Sequence, residues 1–220
     1  MPIDYTKRPK TPDTPPAPAA EGGRVVLTKS APSVSLVKHA AASGSLRVNL
    51  NWSARQSGGG LFRRPSQLDL DLGCLWEFTD GSKGVVQALG NAFEARFHGQ
   101  TVIRLDGDDR SGAVAGGENL YIDLAHAADI KRILVFALIY EGAANWAAAD
   151  GVATLFPATG PEVVVRLDEA RDGARICAIA MLESRNGELV VDRLVNYIDG
   201  GQRLLDETYG WGMRWQAGRK

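Results

Sequence analysis

The sequence is poor in cysteine and histidine, with two Cys and three His among 220 residues. Cys74 and Cys177 both lie in apolar surroundings, which favours small buried hydrophobic residues in a reducing compartment over a disulfide. The histidines, at positions 39, 98 and 126, have neither the spacing of a zinc site nor a nucleophile motif around them. We therefore expect no zinc centre and no histidine-based catalysis, although catalytic triads do assemble from distant positions.

The chain also lacks a charge excess and long apolar runs. Lys and Arg number 25 against 26 Asp and Glu, a formal charge of -1, so no overall basic field favours nucleic acid or an anionic membrane. Apolar runs such as residues 133–140 are far shorter than the roughly 20 residues of a membrane-spanning helix. The first residues lack the apolar middle of a secretory signal. These absences predict a cytoplasmic protein with no integral membrane segment and no nucleic-acid partner.

Proline is concentrated at one end of the chain. Six of the ten prolines fall within residues 2–18, where large apolar side chains are almost absent. Such a segment buries too little surface to offset the entropy of ordering it. We expect residues 1–23 to be a flexible, Pro-rich N-terminal extension and residues 24–220 to form one folded domain.

The dominant sequence period after residue 24 is two. Leu46, Val48 and Leu50 alternate with Arg47 and Asn49, as in a strand with one buried face. Asn and Gly at positions 186 and 187 favour a tight hairpin turn between two apolar runs. Short helical turns are expected only near residues 125–130 and 202–208. The pattern predicts an all-β fold, an antiparallel two-sheet β-sandwich of about ten strands with one or two short helical turns.

Carboxylates are concentrated in two segments of the chain. Asp69 and Asp71 alternate on a predicted strand, so both point the same way about 7 Å apart. The second segment contains Asp106, Asp108 and Asp109 and runs through glycines to Glu118. Clustered carboxylates repel one another, and a hard cation such as Ca²⁺ among their oxygens relieves that repulsion. A solvated acidic loop and an ordinary exposed sheet face remain the alternatives.

A resemblance to a known family rests on the order of several short segments. The chain carries VLTK at 26–29, SLVK at 35–38, LDLDLGC at 68–74, GDDRSG at 107–112 and IDL at 122–124, followed by ILVF at 133–136 and IY at 139–140. In this order they resemble the TerD-domain family of tellurium-resistance and stress proteins. The Pro-rich extension and a divergent second acidic loop resemble the TerA branch more than TerD itself.

The resemblance implies a calcium-binding β-sandwich that is not known as an enzyme and is associated with resistance to tellurite and other stresses. Asp69 and Asp71 match the first acidic motif of the family, and Asp108 and Asp109 follow the glycine that starts the second. Residues 112–119 keep the glycines of that motif but lose most of its carboxylates. Because calcium affinity depends on ligand charge and number, this departure predicts that one calcium site of the family is lost or weakened.

The resulting expectation is a non-enzymatic tellurite-resistance and stress-response protein, a calcium-modulated module that binds other proteins of such a system. The expected metal ligands are Asp69, Asp71, Asp106, Asp108, Asp109 and Glu118. A metal-free protein-docking sandwich is the main alternative, and a carbohydrate-binding or hydrolytic sandwich is a lesser one. Tyr209, Trp211 and Trp215 form an aromatic C-terminal segment, which is a partner surface if exposed and a cover for a sheet edge if buried. The sequence does not determine the oligomeric state.

Overall fold

The computed structural model describes residues 20–21, 23–38, 41–52, 68–106, 117–142, 145–171 and 173–215. Two β-sheets pack face to face and two short helices accompany them. The strands are β1 (Ala20–Glu21), β2 (Arg24–Val26), β3 (Ser33–Lys38), β4 (Ser45–Asn51), β5 (Asp69–Phe78), β6 (Lys83–Val86), β7 (Glu94–Phe97), β8 (Gln100–Leu105), β9 (Glu118–Asp123), β10 (Ile130–Glu141), β11 (Gly151–Phe156), β12 (Glu162–Leu167), β13 (Ile176–Arg185) and β14 (Glu188–Ile198). The helices are α1 (Trp146–Ala149) and α2 (Gln202–Tyr209).

The eight-stranded sheet has the order β1-β2-β12-β11-β4-β9-β8-β7, and the six-stranded sheet has the order β3-β14-β13-β10-β5-β6. Neighbouring described strands are antiparallel except for β2 and β12, which pair in parallel. The predicted β-sandwich is confirmed. The sequence predicts about ten strands and the described residues form fourteen; β1, β7 and β8 are among those where the sequence predicts none. The expected boundary at residue 24 stays a prediction, although β1 already pairs with β2 ahead of it.

Local sequence explains several elements directly. Leu46, Val48 and Leu50 of β4 are fully buried in the main core, whereas Arg47 and Asn49 between them point to the other face of the sheet, where Asn49 is still only 9% exposed. Asn186 and Gly187 have φ angles of 51° and 78°, which join β13 to β14 by the tight turn that the sequence predicts. Within the described ranges no helix is long and apolar enough to span a membrane.

The main core fills the space between the sheets. Cys74 and Cys177 are both fully buried and unbridged, as expected from their apolar surroundings. Burial raises the pKa of both thiols well above the ordinary value, so neither is a reactive thiolate. Trp146 is also fully buried, and its Nε1 donates to the carbonyl of Ala174 at 2.7 Å. This tryptophan packs into the core rather than covering a site.

A second hydrophobic cluster lies on the outer face of the six-stranded sheet. Leu75, Leu134 and Phe136 point away from the main core into this cluster, and α2 with the residues after it packs over them. Trp211 is 1% exposed there, and its Nε1 donates to the carbonyl of Trp76 at 3.1 Å. The aromatic C-terminal segment therefore covers a sheet face and is not a free aromatic surface.

Candidate functional site

The first acidic pair lies at the start of β5. Leu70 and Leu72 of this strand point into the main core, so the alternating pattern places Asp69 and Asp71 on the outer face of the six-stranded sheet. The two aspartates are nevertheless only 7% and 9% exposed. Burying carboxylates is costly unless the charge is compensated, so this end of the sheet is a site where charge must be balanced.

A third carboxylate, on β10, lies beside this pair. Glu141 is the register partner of Asp69, next to an irregularity in the pairing of β5 with β10. Like charges directly opposite each other on neighbouring strands destabilise a sheet. Sequence reasoning missed Glu141 because its proximity to Asp69 comes from strand pairing and not from spacing along the chain.

Glu118 reaches β5 from the other sheet. It is the first residue of β9 and is 2% exposed. Its Oε2 accepts a hydrogen bond from the backbone N–H of Leu72 at 2.5 Å. Since Leu72 follows Asp71, this contact brings a carboxylate of the eight-stranded sheet to the acidic end of β5.

The second acidic segment begins at the end of β8 and returns to β9. The N–H of Asp106 donates to the carbonyl of Asn119 at 2.8 Å, so the residues that flank 107–116 lie close together. The Asp106 side chain is 50% exposed and lies 3.5 Å from Arg104 Nη1. Asp108 and Asp109, two of the expected metal ligands, lie outside the described residues. The structure thus places Asp69 and Asp71 on the outer face of β5, joins Glu118 from the other sheet to the Leu72 amide, and places Asp106 directly after β8.

The backbone at Gly117 allows the close approach of β9 to β4. Gly117 has a φ angle of +62°, and a Cβ atom at this position would lie 2.2 Å from the carbonyl oxygen of Leu50. Only glycine fits such a position without displacing the backbone. Gly117 therefore sets the path by which the chain enters β9 and positions Glu118.

The acidic side chains around the start of β5 would offer carboxylate oxygens to a metal ion. Such oxygens suit a hard cation, because Ca²⁺ prefers oxygen ligands. Within the described part of the chain, however, no group of three or more His, Cys, Asp or Glu side chains is arranged to hold a metal ion. A complete ligand set would need donors from residues 107–116 as well. Calcium binding therefore stays a prediction.

The two described histidines contact side chains close to them in the sequence. His126 Nδ1 lies 2.9 Å from Asp129 Oδ2, and the His98 ring lies 4.3 Å from the ring of Phe97. His39 lies outside the described residues.

Comparison with known proteins finds a curated relative and solved structures of similar fold. No protein-family model matches the chain. A protein of Alcaligenes named tellurium resistance protein TerA is 42% identical over 202 residues, which cover 90% of this chain and 58% of that protein. The chain therefore spans a little more than half of the length of this relative.

The solved structures share the fold at low sequence identity. A crystal structure of a protein of unknown function superposes with a TM-score of 0.55 at 14% identity, covering 81% of this chain and 99% of that one. A homologue of the telluride resistance protein TerD from Streptomyces coelicolor A3(2) has a TM-score of 0.52 at 18% identity, covering 74% of this chain and 95% of that one. Both support the β-sandwich architecture.

Proposed function

Since this chain belongs to the TerD-domain family of tellurium-resistance proteins, with a TerA protein among its relatives, we propose that it acts in tellurite resistance as a non-enzymatic, calcium-modulated module that binds other proteins. Its partners in this proposal are other proteins of the same resistance system. The cytoplasm is the proposed location, and two buried, unbridged cysteines are consistent with a reducing compartment.

The observation that carries the calcium proposal is the burial of carboxylates from two sheets along the Asp69–Leu72 segment of β5. Asp69 and Asp71 come from β5, and Glu118 comes from β9 and bonds to the amide of Leu72 between the sheets. A nearby cation favours the ionised form of a carboxylate, and carboxylate oxygens are ligands that Ca²⁺ prefers.

The proposed ligands are Asp69, Asp71 and Glu118, with Asp106, Asp108 and Asp109 from the second acidic segment and Glu141 as an addition from β10. Bound calcium would supply positive charge that neutralises these carboxylates. The residues of this chain contribute the rest: β5 fixes the spacing of its two aspartates, and the Leu72 amide orients Glu118. A module whose acidic end is neutralised in this way presents a different surface charge to its partners.

Calcium titration calorimetry on the full chain tests this proposal. We expect heat of binding for the wild type, and at least a tenfold weaker affinity for Asp71→Asn and Glu118→Gln, on the order of 1.4 kcal/mol, because each removes a proposed charged ligand. Glu207→Gln is the matched control, because Glu207 is an exposed carboxylate on α2. Absence of heat at millimolar calcium, or equal affinities in all four proteins, would overturn the calcium proposal.

A metal-free docking sandwich is the competing function, favoured by the loss of carboxylates between residues 112 and 117. The two functions differ in their linkage to calcium. A ligand that binds only the folded state stabilises it by about 2.7 kcal/mol at a concentration of 100 Kd. Calcium-modulated function thus predicts a lower thermal midpoint after chelation, and metal-free function predicts an unchanged one.

A further inference from the structure

The outer face of the eight-stranded sheet carries a row of alternating aromatic and arginine side chains. Across β11, β4, β9 and β8 the register partners are, in order, Phe156, Arg47, Tyr121 and Arg104. The guanidinium carbon of Arg47 lies 3.9 Å from the centroid of the Phe156 ring, and that of Arg104 lies 4.9 Å from the centroid of the Tyr121 ring. These cation–π contacts hold both guanidinium groups in defined positions.

Two neighbouring rows continue this face without acids or lysines. One row pairs Val164, Thr154, Asn49 and Asn119, and the other pairs Arg166, Val152 and Asn51. Acidic side chains flank the three rows, on Glu94, Asp106, Asp123 and Glu162, and three of them pair with arginines: Glu94 with Arg96, Asp106 with Arg104 and Glu162 with Arg24. Protein interfaces are enriched in aromatic residues and arginine and depleted in lysine, aspartate and glutamate. The composition of the three rows is therefore typical of a protein-docking surface.

Arg47 is the centre of this face. Its Nη1 donates to Asn119 Oδ1 at 3.0 Å, and Asn49 Nδ2 donates to the same oxygen at 3.0 Å. Arg47 forms no ion pair with any of the described residues, unlike Arg104, which lies 3.5 Å from Asp106. The Arg47 side chain is thus oriented by a ring and an amide while its charge remains without a carboxylate partner in the described structure.

We propose that this face docks a partner protein through an acidic segment, with a carboxylate of that segment bound by Arg47. A guanidinium held in place binds a carboxylate through two parallel hydrogen bonds, and a pre-oriented side chain loses less entropy on binding. The inference rests on the protein-docking role proposed above, but it does not depend on calcium.

Two other partners fit the face less well. Single-stranded nucleic acid needs rings on which bases stack, whereas Phe156 and Tyr121 already carry guanidinium groups, and the net charge of the chain is -1. A second copy of the chain in a two-fold pair would place the arginines of one face against those of the other, which is unfavourable.

Fluorescence anisotropy with the full chain and a labelled peptide of alternating glutamate and serine tests the proposal. We expect the wild type to bind the peptide with an affinity that decreases as salt increases. Arg47→Ala should bind it at least about tenfold more weakly. Arg47→Lys should have an intermediate affinity, because lysine keeps the charge but not the planar guanidinium group. A peptide with glutamine in place of glutamate is expected not to bind. Arg203→Ala is the matched control, because it removes an exposed arginine from α2.

The inference would be overturned if the wild type did not bind the glutamate peptide, or if Arg47→Ala and Arg203→Ala weakened binding equally. Tighter binding of oligothymidylate than of the peptide would also overturn it. So would self-association of the chain that Arg47→Ala abolishes. Thermal unfolding of each variant establishes that it is folded, and Arg47→Lys provides the comparison if Arg47→Ala does not fold. Calcium titration of Arg47→Ala separates the two proposals, because calcium affinity is expected to be unchanged in this variant.

Discussion

The backbone geometry at Gly117 constrains the path by which the chain reaches the acidic residues near the start of β5. In the sequence, Gly117 is one of the glycines that residues 112–119 keep while they lose most of the carboxylates of the second acidic motif. In the structure its positive φ angle and its approach to the Leu50 carbonyl exclude any side chain. A glycine at this position is required for the chain to enter β9 and bring Glu118 to β5.

Gly117→Ala tests this requirement against a matched position. Gly187 also has a positive φ angle, +78°, but no atom lies within 4 Å of a Cβ built there. We expect Gly187→Ala to lower the free energy of unfolding by about 1 kcal/mol through backbone strain alone. Gly117→Ala adds a backbone clash and should cost at least about 2 kcal/mol more. Equal losses in urea unfolding would contradict the packing that we describe around Gly117.

At the scale of elements, α2 and residues 210–215 form one unit, here named the C-terminal cover. Asp206, 3% exposed, organises its polar contacts. One carboxylate oxygen accepts from the N–H of Gly212 at 2.7 Å, and the other accepts from the N–H of Met213 at 2.9 Å and from Trp215 Nε1 at 2.8 Å. A single buried side chain thus ties the segment after α2 back to the helix.

Arg132, on β10 of the six-stranded sheet, binds the C-terminal cover. Its guanidinium donates to the carbonyls of Tyr209 and Gly210, both at 3.1 Å, where α2 ends. It also lies 3.9 Å from the centroid of a Trp211 ring. A cation at a helix C-terminus binds carbonyl groups that have no partner within the helix. The cover therefore depends on one buried acid within it and one arginine beneath it.

Asp206→Ala tests the contribution of the cover. Three N–H groups lose a charged acceptor, so we expect the free energy of unfolding to fall by about 3 kcal/mol. Tryptophan emission should shift to longer wavelength as Trp211 and Trp215 become hydrated. Asp199→Ala removes an exposed aspartate just before α2 and is expected to leave both measurements nearly unchanged. An unshifted emission spectrum in a destabilised Asp206→Ala would show that the cover does not depend on this carboxylate.

At the scale of the whole molecule, acid pH should weaken the fold. Burial raises the pKa of Glu77, but hydrogen bonds from Lys131 at 2.7 Å and Arg132 at 2.6 Å outweigh burial and lower that pKa below its usual 4.5. Partners also hold the pKa of three other carboxyls below the ordinary range: Asp80, Glu94 and Glu169. A folded-state pKa below the unfolded value gives stability that is present above the unfolded pKa and is lost as pH falls through the folded pKa.

We expect the free energy of unfolding to be nearly constant above about pH 5.5 and to fall as pH decreases below about 4.5. Glu77→Gln should lower stability near neutral pH by about 2 kcal/mol and make the acid decline shallower, because it removes a buried ion-paired carboxylate. Glu94→Gln, at an exposed carboxylate, is the matched control and should change the curve little. Urea unfolding measured from pH 3 to pH 8 checks both, and identical curves for Glu77→Gln and Glu94→Gln would contradict the assignment to Glu77.

Local pattern predicted most of the framework. Period-two alternation indicated β4 and the start of β5, and Asn186 with Gly187 indicated the turn between β13 and β14. The pattern missed β7 and β8, which are short and joined by a tight turn, and it missed α1, because its four residues have no helical period to detect. For the candidate site, sequence identified Asp69, Asp71 and Glu118 but not Glu141, whose relation to Asp69 follows from strand register.

The sequence by itself determined that the chain forms a β-sandwich with two acidic segments, because alternation and turn residues act over a few neighbouring positions. Only the tertiary structure decided that Glu118 crosses to β5, that α2 covers an outer sheet face, and that Arg47 lies between Phe156 and Tyr121. Each of these facts joins positions far apart along the chain. Their contact depends on strand order and register, which are set by the packing of the whole sandwich and not by any local pattern.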